Sequence, residues 1–336
     1  MNTLNSMTQQ SAPQSRYSAT LERQEAKLSS VNKNVLKKNF EKKCLPPPPS
    51  PVIFLVDNGS VAAASILNLR VVAELLTTRV GVQIHAVSYL HSNRVPAEEL
   101  GGVKGATLAT SLDLHLQQGA RSFIILPFFF ALGAVFGKIM GVVEAKKASH
   151  PDLQVHYAPS LVNLEGNSPD IRVASILRKR VAQTLAAGSF EKTPEHPAVV
   201  LLDHGSPLPH MVHLRNYVAG QLSVLLHTNG DKVAGCVAAS MERREGVEYD
   251  FGEPLLENLL ARPPFNAGDV VVAMMFLSPG KHAGKDGDVE EICKRAQERS
   301  PGLRCHMTEL VGTHNDVIDI LEQNLRQVLP VTTKRT

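Results

Sequence analysis

Apolar runs alternate with stretches of helical periodicity from residue 52 onward. Short continuous runs such as VIFLVD and AVVLLD, bounded by turn residues, are typical of buried parallel strands. The longer stretches between them carry apolar residues every three or four positions, which predicts amphipathic helices. In the first half the pattern predicts strands at residues 52–57, 82–90, 123–129 and 153–157, and helices at 62–79, 108–118, 135–149 and 171–187.

The second half repeats this order of elements. Asp57 and Asp203 end the first strand of each half and lie 146 positions apart, while Gly133 and Gly280 follow the third strands and lie 147 apart. Alternating strands and helices predict an α/β fold with parallel sheets and helices on both faces. We expect two copies of one unit, facing each other across a cleft. The second-half strands are predicted at residues 198–203, 233–241, 270–276 and 303–310, and the helices at 210–227, 253–261, 288–299 and 316–329.

Residues 1–50 differ from the rest of the chain, because they are basic and carry no apolar periodicity. The first 43 residues hold eight Lys or Arg against three Glu, and four prolines follow at 46–49. This composition predicts a disordered tail, and we expect a cytoplasmic protein. The alternative is an organelle transit peptide, which would send the protein to a plastid.

One apolar stretch, residues 122–143, is long enough to cross a bilayer. Pro127, Gly133, Gly137 and Lys138 interrupt it, and the matching part of the second half is a strand followed by a polar loop. We therefore predict a strand, a loop and a helix start here, and no membrane span.

The composition argues against several classes of binding protein and metal site. The hydrophobic fraction is 43% and the charged fraction 20%, as in soluble globular proteins. A net charge of +3 and 5% aromatic residues argue against a nucleic-acid partner. The four cysteines form no C-x-x-C pair, which argues against a zinc ribbon, an iron–sulfur cluster or a disulfide framework.

Polar side chains follow all four predicted strands of the second half. His204 follows the first, Glu242 the second, His282 the third and His314 the fourth. The carboxyl ends of parallel strands share one edge of a sheet, where open α/β proteins bind ligands. Two or three imidazoles and a carboxylate at one edge suit a divalent metal ion and a general base.

Cationic residues lie beside these positions. Arg243, Arg244 and Lys281 would form a positive rim suited to a polyanionic substrate. The glycines near Lys281 match no phosphate-binding loop, so we expect no nucleotide and no organic cofactor. Ser206 lacks the G-x-S-x-G setting of a hydrolase nucleophile, and we predict that it caps a helix whose first residue is Pro207.

Together these motifs resemble the sirohydrochlorin cobaltochelatase and ferrochelatase family, the class II chelatases of cobalamin and siroheme synthesis. The matching elements are H-G-S at 204–206, the Gly-x-His loop ending at His282, the acidic residue after the second strand and L-x-G-T-H at 310–314. The resemblance covers about residues 52–330. It implies two tandem chelatase-like, Rossmann-like lobes at residues 51–190 and 197–330, with the active site in the second.

The resemblance also implies roles for single residues. His204 and His282 would bind the metal, and Glu242 would accept the pyrrole protons, with Glu253 as the rival for that role. Ser206, Arg243, Arg244, Lys281 and His314 would contact substrate. The reaction would insert Co²⁺ or Fe²⁺, with Ni²⁺ as a third option, into a sirohydrochlorin-type tetrapyrrole without ATP.

The first half departs from the family pattern. Asn58 stands in place of the first histidine, Val135 in place of the second, and Leu90 or His91 in place of the glutamate. We therefore expect a degenerate first lobe that forms the other wall of the cleft. This loss also leaves open a non-catalytic metal or tetrapyrrole carrier. Because two copies are fused, we expect a monomer or a weak dimer.

Overall fold

The computed structural model describes residues 50–165, 168–188, 190 and 196–329. From Pro51 onward the chain belongs to one folded unit that contains both halves. The predicted tail at residues 1–49 lies outside the described residues.

The described residues form two four-stranded sheets flanked by helices, which confirms the α/β prediction. Short 3₁₀ turns lie at Ser92–Arg94, Ala97–Leu100, Val247–Gly252 and Val311–Thr313. The strands are β1 (Val52–Asp57), β2 (Ile84–Ser88), β3 (Ser122–Pro127), β4 (Gln154–Tyr157), β5 (Ala198–Asp203), β6 (Gly235–Ser240), β7 (Gly268–Met274) and β8 (Leu303–Met307). The helices are α1 (Ala63–Val80), α2 (Leu108–Gln117), α3 (Ala134–Ser149), α4 (Arg172–Ala187), α5 (Pro209–Thr228), α6 (Leu256–Leu259), α7 (Asp288–Arg299) and α8 (Asp316–Arg326).

Two sequence predictions are wrong in detail. The helix expected at residues 253–261 is a single turn, α6, because Glu253 precedes a proline and Leu255 is extended and bridges to Ser240. Helix α5 begins at Pro209, not at Pro207. The apolar stretch at 122–143 divides into β3, a loop and α3, and no helix in the described ranges is long and apolar enough to cross a membrane.

All strands of each sheet run parallel, in the orders β2-β1-β3-β4 and β6-β5-β7-β8. The central strands β1 and β5 are buried on both faces, which explains why their sequences are continuous apolar runs rather than alternating ones. All four carboxyl ends of a sheet therefore lie at one edge.

The last helix of each half packs against the other half. Helix α4 packs on β7 and α5, and helix α8 packs on β3 and α1. The Arg180 Nε donates to the Leu310 carbonyl at 3.3 Å, and the Asn324 Nδ2 donates to the Ser160 carbonyl at 2.8 Å. The two halves consequently share one hydrophobic core.

The carboxyl edges of the two sheets meet. Asn68 of α1 donates through Nδ2 to the Leu277 carbonyl at 3.0 Å and to the Ser278 Oγ at 3.1 Å, in the loop after β7. A Cβ built on Gly133, which precedes α3, would lie 3.5 Å from the Met211 Sδ in α5. The loop after β7 in the second half therefore contacts α1 of the first half, and the loop after β3 in the first half contacts α5 of the second.

Candidate active site

The turn after β5 brings His204 and Glu242 together. Gly205 has φ +94°, and a Cβ there would lie 1.9 Å from the Glu242 carbonyl oxygen, so glycine alone permits this approach. The Glu242 N–H donates to the His204 carbonyl at 3.1 Å. As a result the His204 Nε2 lies 3.5 Å from the Glu242 Oε1.

The loop between β7 and α7 adds the second imidazole. The ring centroids of His204 and His282 are 4.6 Å apart, and the ring planes cross at 82°. The His282 Nδ1 lies 2.6 Å from the Asp288 Oδ2. The structure thus gathers the three residues predicted from the sequence, His204, Glu242 and His282, at the carboxyl edge of the second sheet.

The side chains of the histidine pair are accessible, and their ring centroids are 4.6 Å apart. Metal–nitrogen bonds of about 2.0–2.1 Å place the ring centroids of two ligating histidines roughly 4.5–5.2 Å apart. The side chains of His204, Glu242 and His282 are 46%, 59% and 33% exposed. Within the described ranges no group of three or more His, Cys, Asp or Glu side chains is placed to hold a metal ion. Two imidazoles in an open setting leave coordination positions for water or substrate.

A buried polar network supports the strands beneath these residues. The Ser240 Oγ donates to the Asp203 Oδ1 at 3.0 Å, and Arg215 donates to the same Ser240 hydroxyl. Arg215, which is 1% exposed, also donates to the carbonyls of Gly252 and Glu253 at 3.1 and 3.3 Å. Burial raises the pKa of Asp203, while the nearby Arg215 and the Ser240 hydroxyl oppose that shift. The network fixes the residues that precede His204 and Glu242.

Glu253, the rival base, is held elsewhere. Its Oε1 accepts from the Arg243 Nε at 2.9 Å, and its Oε2 accepts from the Leu255 N–H at 2.8 Å. Burial would raise the pKa of Glu253, but these hydrogen bonds outweigh it and leave the pKa below its usual range. A carboxylate stabilised in this way is a poor proton acceptor, so the geometry favours Glu242.

Arg243 and Arg244 differ in their availability to a ligand. Besides Glu253, Arg243 contacts Asp250 at 3.1 Å, and it donates to the Arg244 and Gly246 carbonyls. It therefore braces the loop at residues 243–253. The Arg244 guanidinium lies over the Tyr249 ring, 5.7 Å from its centroid, on an exposed part of the same loop.

The other predicted contacts are also spread out. Lys281 is exposed next to His282, and no hydrogen bond or ion pair joins it to another described side chain. The Ser206 Oγ accepts from the Leu208 N–H at 3.2 Å, just before α5. His314 is 12% exposed and accepts at Nδ1 from the Asp316 N–H, so it belongs to the packing of the loop before α8.

The first half has the same turn but lacks the two histidines and the glutamate. Gly59 has φ +88°, and a Cβ there would lie 1.7 Å from the Leu90 carbonyl oxygen, which makes Leu90 the counterpart of Glu242. Val135 lies in the first turn of α3 and packs in a hydrophobic cluster. Asn58 takes the place of His204.

Two residues of this region were not identified from the sequence. Arg215 interrupts the apolar face of α5 between Val212 and Val218, which is a detectable signal for a buried charge. Asp288 follows His282 by six positions, and the sequence offered no reason to distinguish it from the other acidic residues near the start of α7.

The repeated four-stranded parallel α/β unit defines the class of fold to which the chain belongs. The sequence profile of the CbiX family matches residues 52–184 and again residues 198–328. The chain therefore belongs to the CbiX family, with two copies of its unit. No curated protein sequence matches it.

Solved structures of similar fold include two of SirB and one of DR2241. SirB from Bacillus subtilis with Fe³⁺ superposes with a TM-score of 0.58 at 15% identity, covering 83% of this chain and 95% of SirB. The sirohydrochlorin chelatase SirB from Bacillus subtilis subspecies spizizenii in complex with cobalt gives 0.57 at 14% identity, covering 83% and 94%. DR2241 from Deinococcus radiodurans, a multi-domain protein with similarity to chelatases, gives 0.51 at 17% identity, covering 82% and 54%. At these identities the likeness concerns the fold.

Proposed function

We propose that this protein inserts a divalent metal ion, Co²⁺ or Fe²⁺ with Ni²⁺ as a third option, into a sirohydrochlorin-type tetrapyrrole. The observation that supports this function is the pair of imidazoles at a centroid distance of 4.6 Å, with the Glu242 carboxylate 3.5 Å from one of them. Family membership supports the reaction class, which belongs to cobalamin or siroheme synthesis. We place the reaction in the cytoplasm.

Each group at the site has a part in the proposed reaction. His204 and His282 bind the incoming metal ion and replace some of its water ligands. Glu242 accepts the two pyrrole protons one after the other as the metal–nitrogen bonds form, and its exposed carboxyl releases each of them to water. Two protons leave the macrocycle for each divalent ion that enters, so the charge is balanced. The proposed reaction uses no nucleotide.

The surroundings suit an anionic macrocycle. Lys281 and Arg244 are exposed near the site and are the side chains we propose for substrate carboxylates, with Ser206 and His314 in lesser roles. Arg243 acts by shaping its loop. The first half, at residues 51–190, forms the opposing wall of the cleft, and the second, at 197–330, carries the chemistry.

Anaerobic absorbance spectroscopy with sirohydrochlorin and Co²⁺ or Fe²⁺ tests the proposal. We expect a faster change to the metallated spectrum than without protein, and its loss in His204→Ala and His282→Ala. His210→Ala is a matched control, because His210 is an exposed histidine at the start of α5. Full activity in both site variants would contradict the site assignment.

The same assay separates the rival function. The missing histidines of the first half favour a carrier, which would give a stable spectrum of bound but unmetallated tetrapyrrole. If the protein changes neither the absorbance spectrum of sirohydrochlorin nor the rate at which it becomes metallated, sirohydrochlorin is not the substrate.

A further inference from the structure

Asp288 forms the shortest polar contact to either histidine of the site. Its Oδ2 lies 2.6 Å from the His282 Nδ1, and Asp288 is the first residue of α7. We propose that Asp288 is a positioning residue that keeps the proton of His282 on Nδ1 and so leaves the lone pair of Nε2 for the metal ion. This inference rests on the proposed function of His282 as a metal ligand.

The hydrogen bond selects one tautomer. An ionised carboxylate has no proton to donate, so the Nδ1 of a neutral imidazole that contacts it must carry the hydrogen. The partner nitrogen is then free to bind a metal, and the carboxylate increases its basicity. His204 is held differently, because its Nδ1 lies 3.2 Å from the neutral Gly205 carbonyl. The two histidines are therefore unequal ligands.

The backbone holds Asp288 and His282 in this arrangement before any ligand binds. The Asp288 N–H donates to the Lys281 carbonyl, and the Val289 N–H donates to the His282 carbonyl, both at 3.1 Å. The loop is thus closed onto the first turn of α7, and the imidazole–carboxylate bond orders little additional chain. Such preorganisation is what a metal ligand needs for tight binding.

The first half lacks this device. Helix α3 begins at Ala134, directly after Gly133, and its first turn contains no acidic residue. Helix α7 begins eight positions after Gly280, and the intervening loop presents His282. Presence of the carboxylate therefore coincides with presence of the histidine that it contacts.

An alternative role for Asp288 is favourable interaction with the helix dipole of α7. Glu291 lies in the same first turn and pairs only loosely with Arg295, at 4.0 Å. Glu291→Gln therefore removes the same charge from the same helix end without touching His282, and it serves as the matched control.

Nitrogen NMR of the full chain labelled with ¹⁵N-histidine reads the tautomer directly, with His282→Gln used for assignment. We expect Nδ1–H in the unmodified protein and a shift towards Nε2–H in Asp288→Ala, with no change in Glu291→Gln. An Nε2–H tautomer in the unmodified protein would overturn the proposal. Asp288→Leu, which has a similar side-chain volume and no hydrogen-bond acceptor, replaces the alanine variant if that variant does not fold.

Calorimetric titration with Co²⁺ alone measures the consequence for the metal. We expect Asp288→Ala to weaken binding about 10- to 100-fold, Asp288→Glu to recover part of the loss, and Glu291→Gln to stay within about twofold. Equal Co²⁺ affinity in Asp288→Ala and the unmodified protein would overturn the proposal. Neither measurement uses a tetrapyrrole. A protein that shows both effects and still inserts no metal would retain this inference and lose the proposed function.

Discussion

The carboxyl edges of the two sheets share one backbone design and differ in the groups placed on it. Gly59 and Gly205 each approach the carbonyl of the residue two positions after the end of the neighbouring strand, Leu90 and Glu242 respectively. In the second half the edge carries two histidines and a carboxylate, and in the first half it carries none at the matching places. The turn geometry is therefore a requirement of the fold, and the chemistry is separable from it.

The buried aspartates show the same contrast. Asp203 has the Ser240 hydroxyl and Arg215 near it, and Arg215 follows it by twelve positions. Asp57 is also buried, but the residue twelve positions on is Leu69, and within the described residues its Oδ1 has no hydrogen-bond partner. Burial raises the pKa of Asp57 to about 6, against smaller opposing hydrogen bonds. The first half keeps the buried carboxyl and a neighbouring serine, Ser88, and lacks the cation that Arg215 supplies in the second half.

Glu242→Gln has the largest expected effect on this comparison, because it removes the base that the first half lacks. We expect metal insertion to slow by about 10²- to 10⁴-fold while Co²⁺ still binds. Steady-state absorbance kinetics measure the rate. Glu253→Gln is the control, and a larger loss there than in Glu242→Gln would reverse the assignment of the base.

Arg215→Leu gives the second half the residue that the first half has at the matching position, Leu69. The buried Asp203 and the Gly252 and Glu253 carbonyls would lose a partner, so we expect the free energy of unfolding to fall by about 3–5 kcal/mol. Urea denaturation measures it. Adding Asp203→Asn should recover part of the loss, and a fall below about 1 kcal/mol would show that Arg215 is dispensable.

Gly59→Ala and Gly205→Ala test whether the two turns are equivalent. Each would place a Cβ within 2 Å of a carbonyl oxygen at a positive φ, and we expect each to cost about 2 kcal/mol or more. Thermal denaturation compares them with Gly220→Ala in α5, where nothing lies within 4 Å of an added Cβ. A neutral effect of Gly59→Ala would mean that the first half no longer needs this turn.

Asp57→Asn should stabilise the protein, and the gain should depend on pH. The native pKa of about 6 exceeds the ordinary 3.8, so the native state binds the proton more tightly and loses stability as pH rises from about 4 to above 6. We expect a gain on the order of 1–3 kcal/mol at pH 8 and almost none at pH 4.

Urea denaturation at the two pH values checks this gain. Asp203→Asn should give a smaller gain at pH 8, because Arg215 and the Ser240 hydroxyl oppose the rise in the pKa of Asp203 and would lose an ionised partner. Equal gains in both variants would remove the distinction between the two aspartates.

The smallest effect is expected from Asn58→His. It restores one histidine to the first half, but Val135 lies in α3 and no loop presents a second imidazole there. We expect the Co²⁺ stoichiometry measured by titration to stay unchanged. One extra equivalent of tightly bound metal would show that the first half remains a functional site.

The sequence predicted more of the sheet than of the site. Continuous apolar runs marked β1 and β5 to the residue, because strands buried on both faces tolerate few polar side chains. Helix α6 was overestimated, since local periodicity does not register the extended conformation of Glu253 and Leu255. His204, Glu242 and His282 were found because the ends of parallel strands must meet.

By itself, the sequence determined the repeat, the alternation of strands and helices and the edge at which polar residues collect, because these follow from local apolar patterns. The tertiary structure alone decided which carboxylate serves which partner. Glu253 is held by Arg243, Asp288 by His282 and Asp203 by a network with Arg215, while Glu242 stays exposed. Those choices depend on distances of 2.6–3.9 Å between side chains that lie six, ten and twelve positions apart. The folded loops and helix starts bring these side chains together, and residue spacing alone does not specify that arrangement.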